Sequence, residues 1–259
     1  MIVNNFNNQR MNKIQSQYEN FAYNACSKIY GNHSYGDDDK CVYCGRKQIV
    51  THVHNDIGKK LLDLDVDFVF DSNSIFTFVS YNYDTSNLTK VDINLDADSA
   101  TISNIPLLVY VDNTSDKTNI IIKPAKAVEH IYADSIFTEA FYTPITGMTY
   151  NGLDLIDVSK VTTMIATFKD IGNANLNQIT DWDVSNVTNM DSMFCGNTSL
   201  TDISALANWD VSNVTNFSYM FDASGVLDAT CLENWKIKPG ANISNMFPEG
   251  CTTPSWYKG

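Results

Sequence analysis

A single phrase written four times constrains this chain more than any other feature. Two clear copies read Trp182-Asp-Val-Ser-Asn-Val-Thr-Asn-Met-Asp-Ser-Met-Phe194 and Trp209-Asp-Val-Ser-Asn-Val-Thr-Asn-Phe-Ser-Tyr-Met-Phe221. A weaker copy runs from Ile156 to Phe168, and a decayed one from Trp235 to Phe247. Self-similarity at a period of 20–50 residues marks units that bury their apolar faces against their neighbours. Within the phrase, Val187, Met190 and Met193–Phe194 step by three, as do Val214, Phe217 and Met220–Phe221. That step puts apolar side chains on one side of a tight helical or 3₁₀-like turn. Upstream, Trp182-Asp-Val184 and Trp209-Asp-Val211 alternate as a short strand would, and Ser-Asn supplies turn residues between the halves. Each unit therefore reads as strand, turn and short helix. Trp182, Val184, Val187, Met190, Met193, Phe194, Trp209, Val211, Val214, Phe217, Met220, Phe221, Trp235 and Phe247 are predicted to fill the interior, and Phe137, Ala140 and Phe141 to form an N-terminal cap.

The phrase W-D-V-S-N-V-T-N-M-x-x-M-F resembles the BspA-type leucine-rich repeats of bacterial surface proteins and phage-encoded relatives, over about residues 150–250. The resemblance implies a solenoid used for adhesion or other protein–protein interaction, and it brings no catalytic residues. The fourth copy departs from it, with Lys236-Ile-Lys-Pro-Gly-Ala241 in place of the consensus, as a capping unit would.

Upstream the patterning changes. Ile14, Tyr18, Phe21, Ala22, Ala25 and Ile29 sit at helical spacing, so the sequence predicts an amphipathic N-terminal helix behind an Asn/Gln-rich arm. Tyr18, Phe21 and Tyr23 give it an aromatic stripe suited to an interface. Cys41-Val-Tyr-Cys44-Gly45, with Cys26 and His33 before it, suits a structural Zn²⁺ knuckle with the four ligands Cys26, His33, Cys41 and Cys44; His52 and His54 form an alternative pair. From Leu61 to Ile122, period-two runs such as Leu62–Phe70, Ile75–Tyr83 and Leu107–Val111 predict a small antiparallel sandwich or barrel. The expected fold class is mixed α+β and multi-domain. Residues 1–57 form the arm, helix and zinc knuckle, 58–127 a β-sandwich-like domain, and 128–259 the leucine-rich-repeat solenoid with its caps.

Composition narrows the functions. With 17 basic against 30 acidic residues and a net charge of −13, the chain lacks the positive surface that phosphate-backbone binding needs. No run approaches the length of a membrane span, and the first ten residues show no secretory h-region. Cys195, after the closing Phe194, is expected to be a buried small apolar residue; Cys231 and Cys251 could meet in the C-terminal cap but are expected to stay reduced in a chain made in the cytosol. The alternating Asp63, Asp65 and Asp67 lack the Gly and Glu of a calcium loop. No nucleophile elbow, phosphate loop or carboxylate pair is readable, so a non-enzymatic structural or binding protein is expected. The expected setting is a bacteriophage virion: a fibre, decoration or tail-associated subunit in an oligomeric assembly. Its arm would dock on other virion subunits or sister copies, and its repeats would bind a host-surface or protein ligand. The alternatives are a cell-surface adhesin of BspA type and an intracellular zinc-stabilised scaffold.

Overall fold

The computed structural model describes residues 50–53, 74–91, 107–112, 119–125, 130–133, 136–142, 148–171 and 175–258. The chain divides into two units, Met1–Ile49 and Val50–Gly259, and all the described residues belong to the second. The predicted N-terminal helix, its stripe Tyr18, Phe21 and Tyr23, and the ligands Cys26, His33, Cys41 and Cys44 lie outside the described residues.

Eight short strands precede or enter the repeats: β1 Val50–Val53, β2 Ile75–Phe78, β3 Thr89–Val91, β4 Leu107–Asp112, β5 Asn119–Pro124, β6 His130–Ala133, β7 Thr149–Asn151 and β8 Ile156–Asp157. They form a five-stranded sheet in the order β3-β4-β5-β2-β7 and a three-stranded sheet in the order β1-β6-β8. The period-two reading is correct in facing. Phe76 and Phe78 on β2, and Leu107, Val109 and Val111 on β4, point into the core. On β5, Ile120, Ile121 and Ile122 are all buried, as suits a strand covered on both faces. The expected antiparallel sandwich is not what forms. The larger sheet is mixed, because β2 runs parallel to both β5 and β7, while β4 runs antiparallel to both β3 and β5. Alternation fixes which face a side chain takes and is silent on the direction of the neighbouring strand.

The expected mixed α+β class also fails. Among the described residues there is no α-helix, and four 3₁₀ turns take its place: Leu153–Leu155, Leu176–Ile179, Ser204–Leu206 and Thr230–Leu232. Each lies just before the opening Ile or Trp of a unit, not after its second Val as predicted. Trp182-Asp-Val184 is not a strand either. Parallel pairing occurs instead at single bridges, Ile136 to Thr163, Thr163 to Asn189, Asn189 to Asn216 and Asn216 to Asn242. From each bridge the chain advances as alternating rungs. Met190, Ser192, Phe194 and Gly196 donate their N–H groups to the carbonyls of Asn216, Ser218, Met220 and Asp222 at 2.8–2.9 Å. Phe217, Tyr219 and Phe221 do the same to Asn242, Ser244 and Met246.

The units share one core. Phe141, Phe168, Phe194, Phe221 and Phe247 stack ring on ring, with centroids 5.1, 5.5, 5.5 and 5.7 Å apart and planes within 11°. Phe137, Ala140 and Phe141 are fully buried, so the first rung belongs to the stack as completely as the last. The same hydrophobic cluster runs without interruption from the strands of the five-stranded sheet into the repeats. Gln178 ties the two together: its amide donates to Tyr150 O at 3.1 Å and accepts from Leu153 N at 3.2 Å. The far end is closed by residues 254–257. There Trp256 and Tyr257 pack on Phe247, and Ser255 bonds the Glu233 carboxylate through its N–H at 2.8 Å and through its hydroxyl.

Candidate functional site

The polar letters of the phrase are absorbed by the backbone of the stack. Asp183 and Asp210 each accept the N–H of the Ser two residues on, at 3.1 Å, which closes a tight turn after the Trp. Asn186 and Asn213 donate their amides to Ser159 O and Ser185 O in the preceding unit, both at 2.8 Å. Thr188 and Thr215 satisfy the carbonyls of Thr162 and Thr188 with both N–H and hydroxyl. Asn189, Asn216 and Asn242 make the bridges and accept from the N–H two residues later. The buried Asn197 amide reaches both Phe168 O and Phe194 O. Each recurrent polar residue thus satisfies a group that stacking would otherwise leave unpaired.

The Trp residues do the same from inside. Trp182, Trp209 and Trp235 donate their indole N–H to Leu153 O, Ile179 O and Leu206 O at 2.9–3.1 Å. Trp256, which lies outside the repeated phrase, occupies the next place by donating to Leu232 O at 2.9 Å. All the predicted interior residues, from Trp182 and Val184 through Phe247, are buried.

One varied position is a strained turn. Glu139, Ala166, Ser192, Tyr219 and Asn245 occupy the same place in five successive rungs, three residues after the bridge, and all have φ between 52° and 57°. The carbonyls of the first four accept the N–H three residues on, at 3.1 Å, so the left-handed turn is fixed by the backbone. A non-glycine residue held there costs about 1–2 kcal/mol, and a bulky one such as Tyr is uncommon. Tyr219 is nonetheless 43% exposed, Glu139 and Asn245 are also exposed, Ser192 is half-buried, and Ala166 is buried. Beside this column lie Lys169, Asp170, Asp191 and Asp222, the charged groups that act on the half-buried thiol of Cys195. Burial raises that thiol above its ordinary value. No sequence signal marked this column, because its residues share a backbone angle and no chemistry.

Two polar grooves flank the 3₁₀ turns. One, of about 190 Å³, is lined by Asn175, Asn177, Ser199, Thr201, Asp202 and Ser204. The other, of about 320 Å³, includes Asn208, Trp209, Asp210, Ser212, Asn234 and Lys236. Among the described residues no group of three or more His, Cys, Asp or Glu side chains could hold a metal ion, so the zinc knuckle forms no part of the described fold. His130 lies on β6 and His52 on β1, where His52 pairs in register with Tyr132. Burial also raises the thiols of Cys231 and Cys251.

Several turn carboxylates are held below their ordinary values by the bonds they accept. Asp202 is lowered from 3.8 by the backbone N–H and then the hydroxyl of Ser204. Asp210 is lowered by Ser212, and Asp228 by Thr230, in both cases by the hydroxyl first and then the N–H. A lowered folded-state value means that these bonds contribute stability above the unfolded value, which is lost as pH falls through the folded one. Thermal midpoints are therefore expected to be flat from neutral pH to about 4 and to fall below that. Asp210→Asn, which keeps an oxygen acceptor for the turn, is expected to flatten the acid limb; an identical limb in this variant would assign the acid loss to other groups.

Residues 136–254 match the DUF285 family, described as a Mycoplasma protein of unknown function. The match begins at Ile136, the first bridge of the ladder, and ends at Pro254, where the closing segment turns across the last rung. No curated protein and no solved structure matches the chain. The matched segment is thus coextensive with the stacked rungs. Among the described residues no helix is long and apolar enough to cross a membrane.

Proposed function

We propose that this chain is a non-enzymatic display protein whose DUF285 segment binds a protein or host-surface ligand through its column of left-handed turns. One observation carries the reading: the buried Phe place recurs in every rung, whereas the left-handed turn position reads Glu, Ala, Ser, Tyr and Asn. A recurrent buried core beside a varied, strained column with three exposed members, Glu139, Tyr219 and Asn245, lets a stacked-repeat protein separate folding from recognition. The expected setting is a bacteriophage virion, with the N-terminal arm anchored on neighbouring subunits. A second reading, a cell-surface adhesin of BspA type, is favoured by the W-D-V-S-N-V-T-N-M phrase and by a family description that names a bacterium.

Antibody against the chain separates the two settings. Labelled purified particles support the virion reading, and labelled intact producing cells with bare particles overturn it in favour of the adhesin. The column itself is tested with Tyr219→Gly. Glycine removes the exposed ring and relieves the left-handed strain, so stability is expected to hold or rise by up to about 1 kcal/mol. Binding of the full chain to the labelled surface is expected to fall at least about tenfold, the loss of one buried aromatic anchor. Unchanged binding would remove the column from the site.

A further inference from the structure

The closing segment brings Cys251 alongside the stretch of chain that carries Cys231. Asp228 and Thr252 form a parallel bridge, with Thr252 N bonded to Leu227 O and Ala229 N to Thr252 O, both at 2.8 Å. Further along both segments, Ser255 bonds Glu233 and the Trp256 indole bonds Leu232 O. Residues 251–256 therefore run along residues 227–233 and contact them on either side of Cys231. Cys251 lies at the start of that run, next to the bridge. Both cysteines are unpaired and half-buried, and both pack on the same hydrophobic cluster. Asp228 acts on both thiols, and Cys251 also feels Cys231 directly. Cys231 occupies the place that Gln178 and Ala205 hold in the two preceding 3₁₀ turns, so nothing in the repeat requires a thiol there.

We propose that Cys231 and Cys251 form a redox clamp that closes to a disulfide in an oxidising medium and locks the last rung. The oxidant is a small-molecule disulfide such as oxidised glutathione. One thiolate attacks it, expels one glutathione thiol and leaves a mixed disulfide; the second thiolate attacks that bond and expels the other. Two thiols and one oxidised glutathione thus give one protein disulfide and two glutathione thiols. The closed loop spans the fourth unit from Cys231 to Cys251, including Trp235 and the exposed Pro239-Gly240 turn. The cross-link acts chiefly by restricting the unfolded chain.

The test uses the full chain equilibrated in glutathione buffers of increasing oxidised fraction. Peptide mapping is expected to show a peptide linked between Cys231 and Cys251, lighter by two hydrogens than the reduced pair, while Cys195 stays free or carries glutathione. The thermal midpoint is expected to rise by roughly 6–12 °C for a loop of this size. Cys231→Ser and Cys251→Ser are each expected to abolish both the link and the shift while keeping the reduced midpoint. Glutathione adducts persisting on both cysteines, pairing of either with another cysteine, or a link without a midpoint shift would each overturn the clamp.

Discussion

Trp209→Ala is expected to destabilise the chain by roughly 3–5 kcal/mol, among the largest effects available to a single residue. Its indole lies 4% exposed between rungs, and truncation leaves a cavity that neighbours fixed by three or four rung bonds cannot close. Trp209→Phe separates the two contributions of the ring. Phenylalanine keeps most of the volume and loses only the indole bond to Ile179 O. That carbonyl still accepts Trp182 N–H at 3.2 Å, so it is not left unpaired, and a cost of about 1 kcal/mol is expected. Urea titrations of both variants check this. A small effect of Trp209→Ala would mean that stacking does not carry the stability of the repeats.

The second large effect is expected at Gly152, where the sheet passes into the stack. This residue follows β7 with φ +72°, and a Cβ there would sit 2.0 Å from the backbone oxygen of Phe78. Alanine must therefore accept left-handed strain and also push β7 away from the end of β2. Together these cost roughly 2–5 kcal/mol. Gly240→Ala is the matched control: φ is +83°, but nothing lies within 4 Å of the added Cβ, so only the strain remains, about 1–2 kcal/mol. Equal losses at the two positions in urea titrations would show that the close approach at Phe78 is relieved without cost.

The interior of the stack was legible because the phrase recurs. A residue such as Met190 or Phe221 is marked as core by its periodic place, whatever its local propensity. What recurrence cannot show is the path of the chain between those places. Trp182-Asp-Val184 has the alternation of a strand, yet Asp183 is spent on closing a turn, and pairing moves to Asn189, whose side chain also closes one. The left-handed column stayed hidden because Glu139, Ala166 and Tyr219 are not residues that sequence reasoning places at positive φ. Trp256 was missed for a different reason: it takes its place in the indole column only 21 residues after Trp235, outside any copy of the phrase. In the sheet, the facing of β2 and β4 was read correctly and strand direction was not, since the parallel partner of β2 lies some forty residues away in β5; the predicted run Leu62–Phe70 lies outside the described residues.

The direction of the bonds between rungs has a mechanical consequence. Every rung bond, from Phe137–Thr163 to Phe221–Met246, runs between consecutive units, so it lies along the line on which a tether would pull if the chain were held at its two ends. Bonds loaded in this way open in succession and not together, because each unit touches only its neighbours. A unit of 26 or 27 residues released from the end lengthens the chain by about 90 Å at about 3.4 Å per residue. The closing segment at Trp256 and Glu233 stands first in that line at the C-terminal end. Under tension such a stack would behave as an extensible leash, giving way one rung at a time and shortening again as each Phe ring returns to the one beneath it.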